Sequence, residues 1–409
     1  MSAMRWTLNT QIFLGALFGL ATGLLLQSQP SWHLTPSILF VFELIGKIFI
    51  NLLKMVLVPL IFTSIVAGIA NLLTTRSGHK VWSLFLLYSL MTSALAVVTG
   101  LIAVNVFKPG VGLNVPWLQQ QTAPLAAHPV TLNDFVRKLI DGALANPVSA
   151  MADNNVLGII VFAAFLGAAL VALGPRASTL LKLTNELFEV VMTIVGWIMR
   201  LAPLGVMALL ATLVAGQNLS LLHALSAYIL LVLGATLFHG LVTLPAILWI
   251  FTRISPAHFF YSMRHVFLTA FSTSSSNATL PVTMRAVTQE LRVDKNIAGF
   301  VLPVGATVNM DGTALYEAMA ALFVANLCGI HLDLLQQIVV ALMAMLAAIG
   351  APGIPSAGMV TLMMVLQSVG LPIEAVALLI PIDRPLDTVR TVVNVEGDCV
   401  GACVVQKLL

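Results

Sequence analysis

Charge is what this chain has least of. Only 9% of its 409 residues are Asp, Glu, Lys or Arg, against about 25% in an average soluble domain. A fold with so little charge cannot dress its surface for water, so a soluble enzyme or binding module is excluded. The net charge of +3 is small and spread over connections, which argues against a nucleic-acid surface. Cysteine is scarce too. Cys328, Cys399 and Cys403 have no Cys or His partners at metal-ligand spacing, and Cys399 and Cys403, four apart, read as small packing residues. What fills the chain instead is apolar: 59% hydrophobic residues and a mean hydropathy of +1.01.

Long apolar runs near residues 9–28, 37–73, 81–107, 146–173, 179–214 and 222–252 read as six spans, some tilted or partly outside the bilayer. The first follows Arg5 but precedes Gln27-Ser28-Gln29-Pro30, with no small-residue cleavage pattern, so it is expected to be retained and not removed as a signal peptide. Arg5, then Arg76 and Lys80, then Arg176 and Lys182, then Arg253 and Arg264 fall on one side by alternation. The positive-inside rule makes that side cytoplasmic. The Gln-rich connection 108–138 is then external. Its Lys108, Arg137 and Lys138 are tolerated because long loops obey the rule less strictly.

Beyond Arg264 the alternation breaks. Val266–Val282 runs straight into Arg285, Arg292 and Lys295, and a single crossing would strand those charges outside. Two short arms resolve the conflict, entering and leaving on one side with their tip at Ser272–Asn277: a re-entrant hairpin. A second is expected over Leu335–Gly370, broken by Gly350–Gly358 and entering from outside because its flanks are poor in Lys and Arg. A helix follows each hairpin, Ala298–Leu327 and then the terminal segment ending near Lys407. The pattern is an inverted repeat, and such paired interrupted segments point to a transporter's binding site. The expected fold is an all-α polytopic membrane protein with eight transmembrane helices plus two re-entrant helical hairpins, both termini cytoplasmic.

The terminal segment, Pro381–Val405, carries Asp383, Arg384, Asp387, Arg390, Glu396 and Asp398. Each such charge on a lipid-facing helix costs roughly 2.5–3.5 kcal/mol at the bilayer centre. At about 100° per residue, Asp383, Asp387, Arg390, Asn394 and Asp398 share an arc of roughly 80°, so the stripe must line a protein-enclosed cavity. Two arginines facing four carboxylates leave negative charge for protons, cations or a cationic substrate group. Asn309 and Asp311, two apart beside Gly312, would point apart on a regular helix. Local unwinding there would free oxygens for a hard cation; a satisfied polar kink is the bland alternative. Asp387 and Arg390 read equally as an internal salt bridge or as complementary to an acidic amino acid. In the second case Arg390 would grip the side-chain carboxylate in bidentate fashion and Asp387 would take the α-ammonium.

Four motifs in order decide more than spacing can: Ser-Ser-Ser-Asn-Ala-Thr-Leu-Pro (274–281), Asn-Met-Asp-Gly-Thr (309–313), Gly-Ala-Pro-Gly-Ile-Pro-Ser-Ala-Gly (350–358) and Asp-Thr-Val-Arg-Thr-Val-Val-Asn-Val-Glu-Gly-Asp (387–398). Over essentially its whole length the chain resembles the dicarboxylate/amino acid:cation symporters, the glutamate and aspartate transporters. The resemblance implies a substrate site of Ser275, Ser276, Thr313, Ile354, Gly358, Asp387, Arg390, Thr391 and Asn394. It implies one sodium site of Gly305, Asn309, Asn394 and Asp398, and another of Thr92, Ser93, Asn309 and Asp311. A third would use Thr307, Met310 and carbonyls of the second hairpin, which acts as the outer gate. Glu317 stands where the proton-coupled branch is acidic.

The family also implies an elevator-type fold and a homotrimer. Residues 1–76 (helices 1 and 2) and 111–218 (helices 4 and 5) would form the scaffold. The transport unit would take 77–110 (helix 3), 219–255 (helix 6) and 256–409 (hairpin 1, helix 7, hairpin 2, helix 8). Glu43, Lys47 and Lys54 would then have an ion-pair or interface role. Asn277 replaces a serine common in relatives and could alter pocket polarity. Ser274, Thr388 and Val389 stand where some relatives carry arginine, leaving the role of Arg384 open, and Glu396 has no assigned role. His239 reads as a packed neutral imidazole, not a relay.

The expected function is symport of L-aspartate or L-glutamate with Na+, Glu317 being the candidate for H+ coupling. No enzymatic activity, organic cofactor or nucleic-acid partner is expected, and the setting is the lipid bilayer of the cytoplasmic (inner) membrane. A C4-dicarboxylate:cation symporter of the same fold is the alternative; an anion channel or a membrane-embedded hydrolase is remoter.

Overall fold

The computed structural model describes residues 8–29, 32–74, 79–113, 115, 118, 137, 140–153, 155–216, 219–349 and 357–409. Long helices dominate them: α1 (Leu8–Ser28), α2 (Thr35–Thr74), α3 (His79–Phe107), α4 (Pro147–Ala152), α5 (Val156–Leu173), α6 (Ser178–Arg200), α7 (Ala202–Gly216) and α8 (Leu219–Phe238). A π-turn, His239–Thr243, joins α8 to α9 (Leu244–Thr252). Then come α10 (Pro256–Thr273), α11 (Ser276–Gln289), α12 (Lys295–Val308), α13 (Asp311–Cys328), α14 (Leu334–Ile349), α15 (Ala357–Ser368) and α16 (Val376–Leu408). Five helical stretches among the described residues are long and apolar enough to cross a membrane: Thr10–Ser28, Thr35–Ala70, Lys80–Phe107, Leu157–Arg200 and Ser220–Thr252.

The apolar runs break where the chain supplies breakers. The run 146–173 is not one helix: α4 stops at Asp153, and the Asn155 side chain accepts from Gly158 N (3.2 Å) to start α5. The 44-residue stretch Leu157–Arg200 contains a turn, because Gly174 has φ +56° and Pro175 follows it. The run 179–214 divides at Leu201, ahead of Pro203 in the first turn of α7. On α6, buried Thr184, Val191, Val195 and Ile198 line one face, while Lys182 and Glu186 stay exposed.

The first interrupted segment of the C-terminal region breaks where the sequence suggests, but its arms are longer than the run Val266–Val282, reaching back to Pro256 and on to Gln289. At the first, Ser274 adopts φ +49° and Ser275 is extended, so α10 and α11 fold back on each other through a two-residue turn. The Ser275 hydroxyl caps α11 by accepting from Ala278 N (3.2 Å). The second tip, residues 350–356 with Ile354, lies outside the described residues; its arms α14 and α15 pack together. The helix between the hairpins is interrupted at Asn309-Met310, separating α12 from α13. Gly312, expected to cause that unwinding, lies inside α13 instead. It is needed for close approach, since a Cβ there would stand 2.9 Å from the carbonyl oxygen of Arg390.

The helices form two packing groups. In one, α2 lies against α5, α6 and α7, and α1 lies along α7. In the other, α16 is the axis and touches α3, α8, α9, α10, α11, α12, α13 and α15. The groups meet where α16 touches α7 and α1, and where α15 touches α2 and α5. Lys54 on α2 reaches across to Glu374, just before α16 (2.6 Å). With side chains 27% and 36% exposed, this pair contributes about 1 kcal/mol at most.

Helix α1 approaches α7 through Gly15, Gly19 and Gly23, a Gly-x-x-x-Gly-x-x-x-Gly stripe that permits close backbone contact. A Cβ on Gly15 would collide with the carbonyl of Pro203, and one on Gly19 with that of Met207. Neither backbone oxygen can rotate away. Gly19→Leu is therefore expected to destabilise the protein by about 2 kcal/mol or more, read as a fall in the thermal unfolding midpoint in detergent. Phe18→Leu, on the exposed face beside it, should leave the midpoint unchanged.

Candidate substrate and cation sites

Asp383, Asp387 and Arg390 are spaced four and three apart on α16, so one helix face presents all three. Arg390 is only 1% exposed. Its Nη2 donates to Asp383 Oδ1 (2.6 Å) and Asp387 Oδ1 (2.9 Å), and its guanidinium lies 3.9 Å from the centre of the Tyr316 ring on α13. Arg384 Nη1 donates to Asp387 Oδ2 (3.4 Å). The internal salt bridge anticipated as one alternative is thus formed. It does not exhaust the arginine, because Nε and Nη1 have no partner among the described residues.

Gly358, at the start of α15, stands close to that end of the guanidinium: a Cβ there would lie 3.6 Å from Nη1 and 3.3 Å from the Thr313 methyl. Both hydrogen-bonding forks of a guanidinium include Nη2, and here Nη2 is held by aspartates. The bidentate grip expected from the sequence therefore requires an aspartate to let go.

One turn and more along α16, a second cluster is built on the break at Asn309-Met310. Ser93 and Thr92 on α3 donate to Asp311 Oδ1 (2.6 and 3.3 Å), and Thr92 also reaches Asn309 Oδ1 (3.4 Å). Asn309 Nδ2 donates to Asp398 Oδ1 (3.1 Å), so the Asn309 amide and the Thr92 hydroxyl together connect the two buried carboxylates. Gly305 lies against Asp398, and a Cβ there would overlap the carboxylate. Asn394 accepts from Gly312 N (2.8 Å) and donates to Thr313 Oγ1 (3.2 Å), tying the two clusters together. Carboxylate, amide and hydroxyl oxygens of this kind suit a hard cation such as Na+.

Other expected positions stand further off. Ser275 and Ser276 are buried at the first tip, whose arms α10 and α11 pack on α16. Asn277 is exposed and does not line the cluster. Thr391 turns its hydroxyl back to the Asp387 carbonyl (2.8 Å), and Thr307 likewise to Val304 (3.0 Å). Met310 is buried in the break. Glu317 is fully buried one residue beyond Tyr316; it accepts from the Thr361 hydroxyl of α15, while its Oε2 has no partner among the described residues. His239, read from the sequence as merely packed, places Nε2 3.2 Å from Asp311 Oδ2.

Residues 8–408 match the model of the Sodium:dicarboxylate symporter family. The chain belongs to that family. The symporter is 35% identical to an excitatory amino acid transporter of Caenorhabditis elegans, covering 97% of this chain and 86% of the relative. It is also 35% identical to excitatory amino acid transporter 3 of Oryctolagus cuniculus (99% and 86%) and to neutral amino acid transporter B(0) of Bos taurus (93% and 76%). It is an integral membrane transporter and not an enzyme, and sodium is the cation that the family description names. Relatives of acidic and of neutral type are equally similar, so substrate class must come from the site.

Sequence reasoning put Asp383 on the stripe but not in the site, and missed Tyr316 and Thr361 altogether. The contacts of Tyr316 and Thr361 cross between helices, where no spacing rule reaches. Asp383, on the same helix as Arg390, makes the shortest bond to it. Removing the guanidinium by Arg390→Ala leaves buried Asp383 without its cation and Asp387 with the more distant Arg384 at 3.4 Å, which should cost about 3–5 kcal/mol. The fall in unfolding midpoint should be partly recovered in Arg390→Ala/Asp383→Asn, because the stranded charge is then gone. A double variant no more stable than the single one would contradict the pairing.

Proposed function

We propose that the symporter carries L-aspartate or L-glutamate together with Na+. The observation that carries this reading is the half-used guanidinium of Arg390 beside Asp387. A substrate α-ammonium drawn to Asp387 competes with Nη2 for that carboxylate, and the released nitrogen completes a fork with Nη1 for the substrate's side-chain carboxylate. An acidic amino acid supplies both charges at once. A C4-dicarboxylate supplies no cation for Asp387, and a neutral amino acid supplies no side-chain carboxylate for Arg390, although the neutral amino acid transporter among the relatives keeps that class in view.

In this reading the substrate touches Ser275, Ser276, Thr313, Ile354, Gly358, Asp387, Arg390, Thr391 and Asn394. Thr92, Ser93, Asn309 and Asp311 form one cation site, and Gly305, Asn309, Asn394 and Asp398 another. Thr307 and Met310 join a third. Glu317, buried and hydrogen-bonded to the second hairpin through Thr361, is the proton-coupling residue.

The two packing groups support the division into a scaffold (1–76 and 111–218) and a transport unit (77–110, 219–255 and 256–409). In the proposed cycle the unit slides as an elevator against a homotrimeric scaffold, with eight spans, two re-entrant hairpins and both termini on the cytoplasmic side of the inner membrane.

Uptake of labelled L-aspartate into proteoliposomes under an inward sodium gradient tests the proposal, with choline at equal ionic strength as control. Accumulation is expected with sodium and not with choline. Accumulation in choline driven by an inward proton gradient would instead place coupling on Glu317 alone. Asp387→Ser should abolish aspartate uptake while improving that of succinate; unchanged aspartate uptake would remove the assignment of the ammonium to Asp387.

A further inference from the structure

The sixth hydrophobic stretch holds a device that the substrate and cation residues do not explain. Pro245 has no N–H to continue the helix and would crowd the carbonyl four residues earlier. The chain answers with a π-turn at His239–Thr243, in which Leu244 N donates to the carbonyl of His239. Gly240 lets this widened turn approach α16: a Cβ there would stand 2.9 Å from Val393 Cγ2 and 3.1 Å from Glu396 Oε2. The result is that His239 points inward, fully buried, with Nε2 3.2 Å from Asp311 Oδ2.

The tautomer follows from satisfaction of buried polar atoms. His239 Nδ1 has no partner among the described residues. A proton on it would be a buried orphan donor, which costs more than a bare lone pair beside apolar neighbours. The arrangement that satisfies both groups has a proton on Nε2, donated to Asp311. Asp311 is then held from two sides. Its Oδ2 receives a rigid imidazole N–H, while its Oδ1 receives the hydroxyls of Ser93 and Thr92, which can rotate to offer lone pairs elsewhere.

We infer that His239 is a positioning residue for the coupling cation. It fixes the Asp311 carboxylate so that Oδ1, on the side of Thr92, Ser93 and Asn309, is the oxygen offered to sodium. This rests on the reading of Asp311 as a cation ligand.

The test measures sodium dependence twice on each variant, by the concentration giving half-maximal aspartate uptake and by the sodium-induced rise in the unfolding midpoint of purified protein. His239→Met keeps approximate volume and loses the donor. A hydrogen bond to a charged group is worth about 1.5–3 kcal/mol, so the half-saturating sodium concentration should rise about tenfold or more in both readouts. The aspartate KM at saturating sodium should not change. His239→Gln puts an amide N–H close to the position of Nε2 and should stay within about threefold of wild type.

A Met variant with wild-type sodium dependence, or a Gln variant as weak as Met, overturns the inference. If the Met variant does not fold, Gln is compared with Asn, whose shorter amide falls short of Asp311. Equal sodium affinity in those two also overturns it. A wild-type protein whose uptake and midpoint ignore sodium removes the cation reading itself, and the inference with it.

Discussion

The burial of Arg390 is the constraint around which the rest is arranged. An arginine 1% exposed inside a helical membrane protein survives only if the surrounding helices surround it with partners. Two come from its own helix, at the only spacings that bring carboxylates to it. The Tyr316 ring of α13 covers the guanidinium, and Gly358 of α15 stands close to Nη1. That requirement explains why α16, polar along one face, is the axis against which helices of both packing groups lie. It also explains why the helices facing it carry glycine at the closest approaches: Gly240, Gly305, Gly312 and Gly358 each stand against a side chain or the backbone of α16.

Much of this was legible in the chain because helix breakers and buried charges are local signals. The turn at Ser274-Ser275, the break at Asn309-Met310 and the inward stripe of α16 were all foreseeable from residue type and a 3.6-residue period. What escaped were properties of pairs of helices. The contact of His239 with Asp311 depends on a π-turn set by Pro245, and regular helical phase gives no hint of it. The Gly15-Gly19-Gly23 stripe was readable as a close-packing face, yet its partner α7 lies some 190 residues away and no periodicity names it. The breaks inside the runs 146–173 and 179–214 were signalled by Asn155 and Pro203. High hydropathy on both sides masked them, since a span and a pair of helices have the same composition.

The two polar clusters differ in charge, and the structure separates what the sequence merged. Counted along the stripe, four carboxylates outnumber two arginines. In three dimensions both arginines lie with Asp383 and Asp387, so that cluster is balanced within itself. The two carboxylates left over on that helix are Glu396, which lies against Gly240, and Asp398, which shares its cluster with Asp311 of α13. No Lys or Arg pairs with Asp398 or Asp311 among the described residues.

This separation gives coupling a physical basis. The Asp311–Asp398 cluster is costly to bury until cations or protons neutralise it, whereas the arginine cluster is stable empty and exchanges internal partners for external ones. Asn394 and Thr313 stand between them, joined to each other, with Asn394 also receiving the Gly312 amide. On the proposed reading, a cation that drew Asn309 or Asn394 toward itself would pull on the residues bordering Gly358 and Nη1 of Arg390. Two hydrogen bonds and a glycine contact are the path by which occupancy of one cluster would be felt at the other.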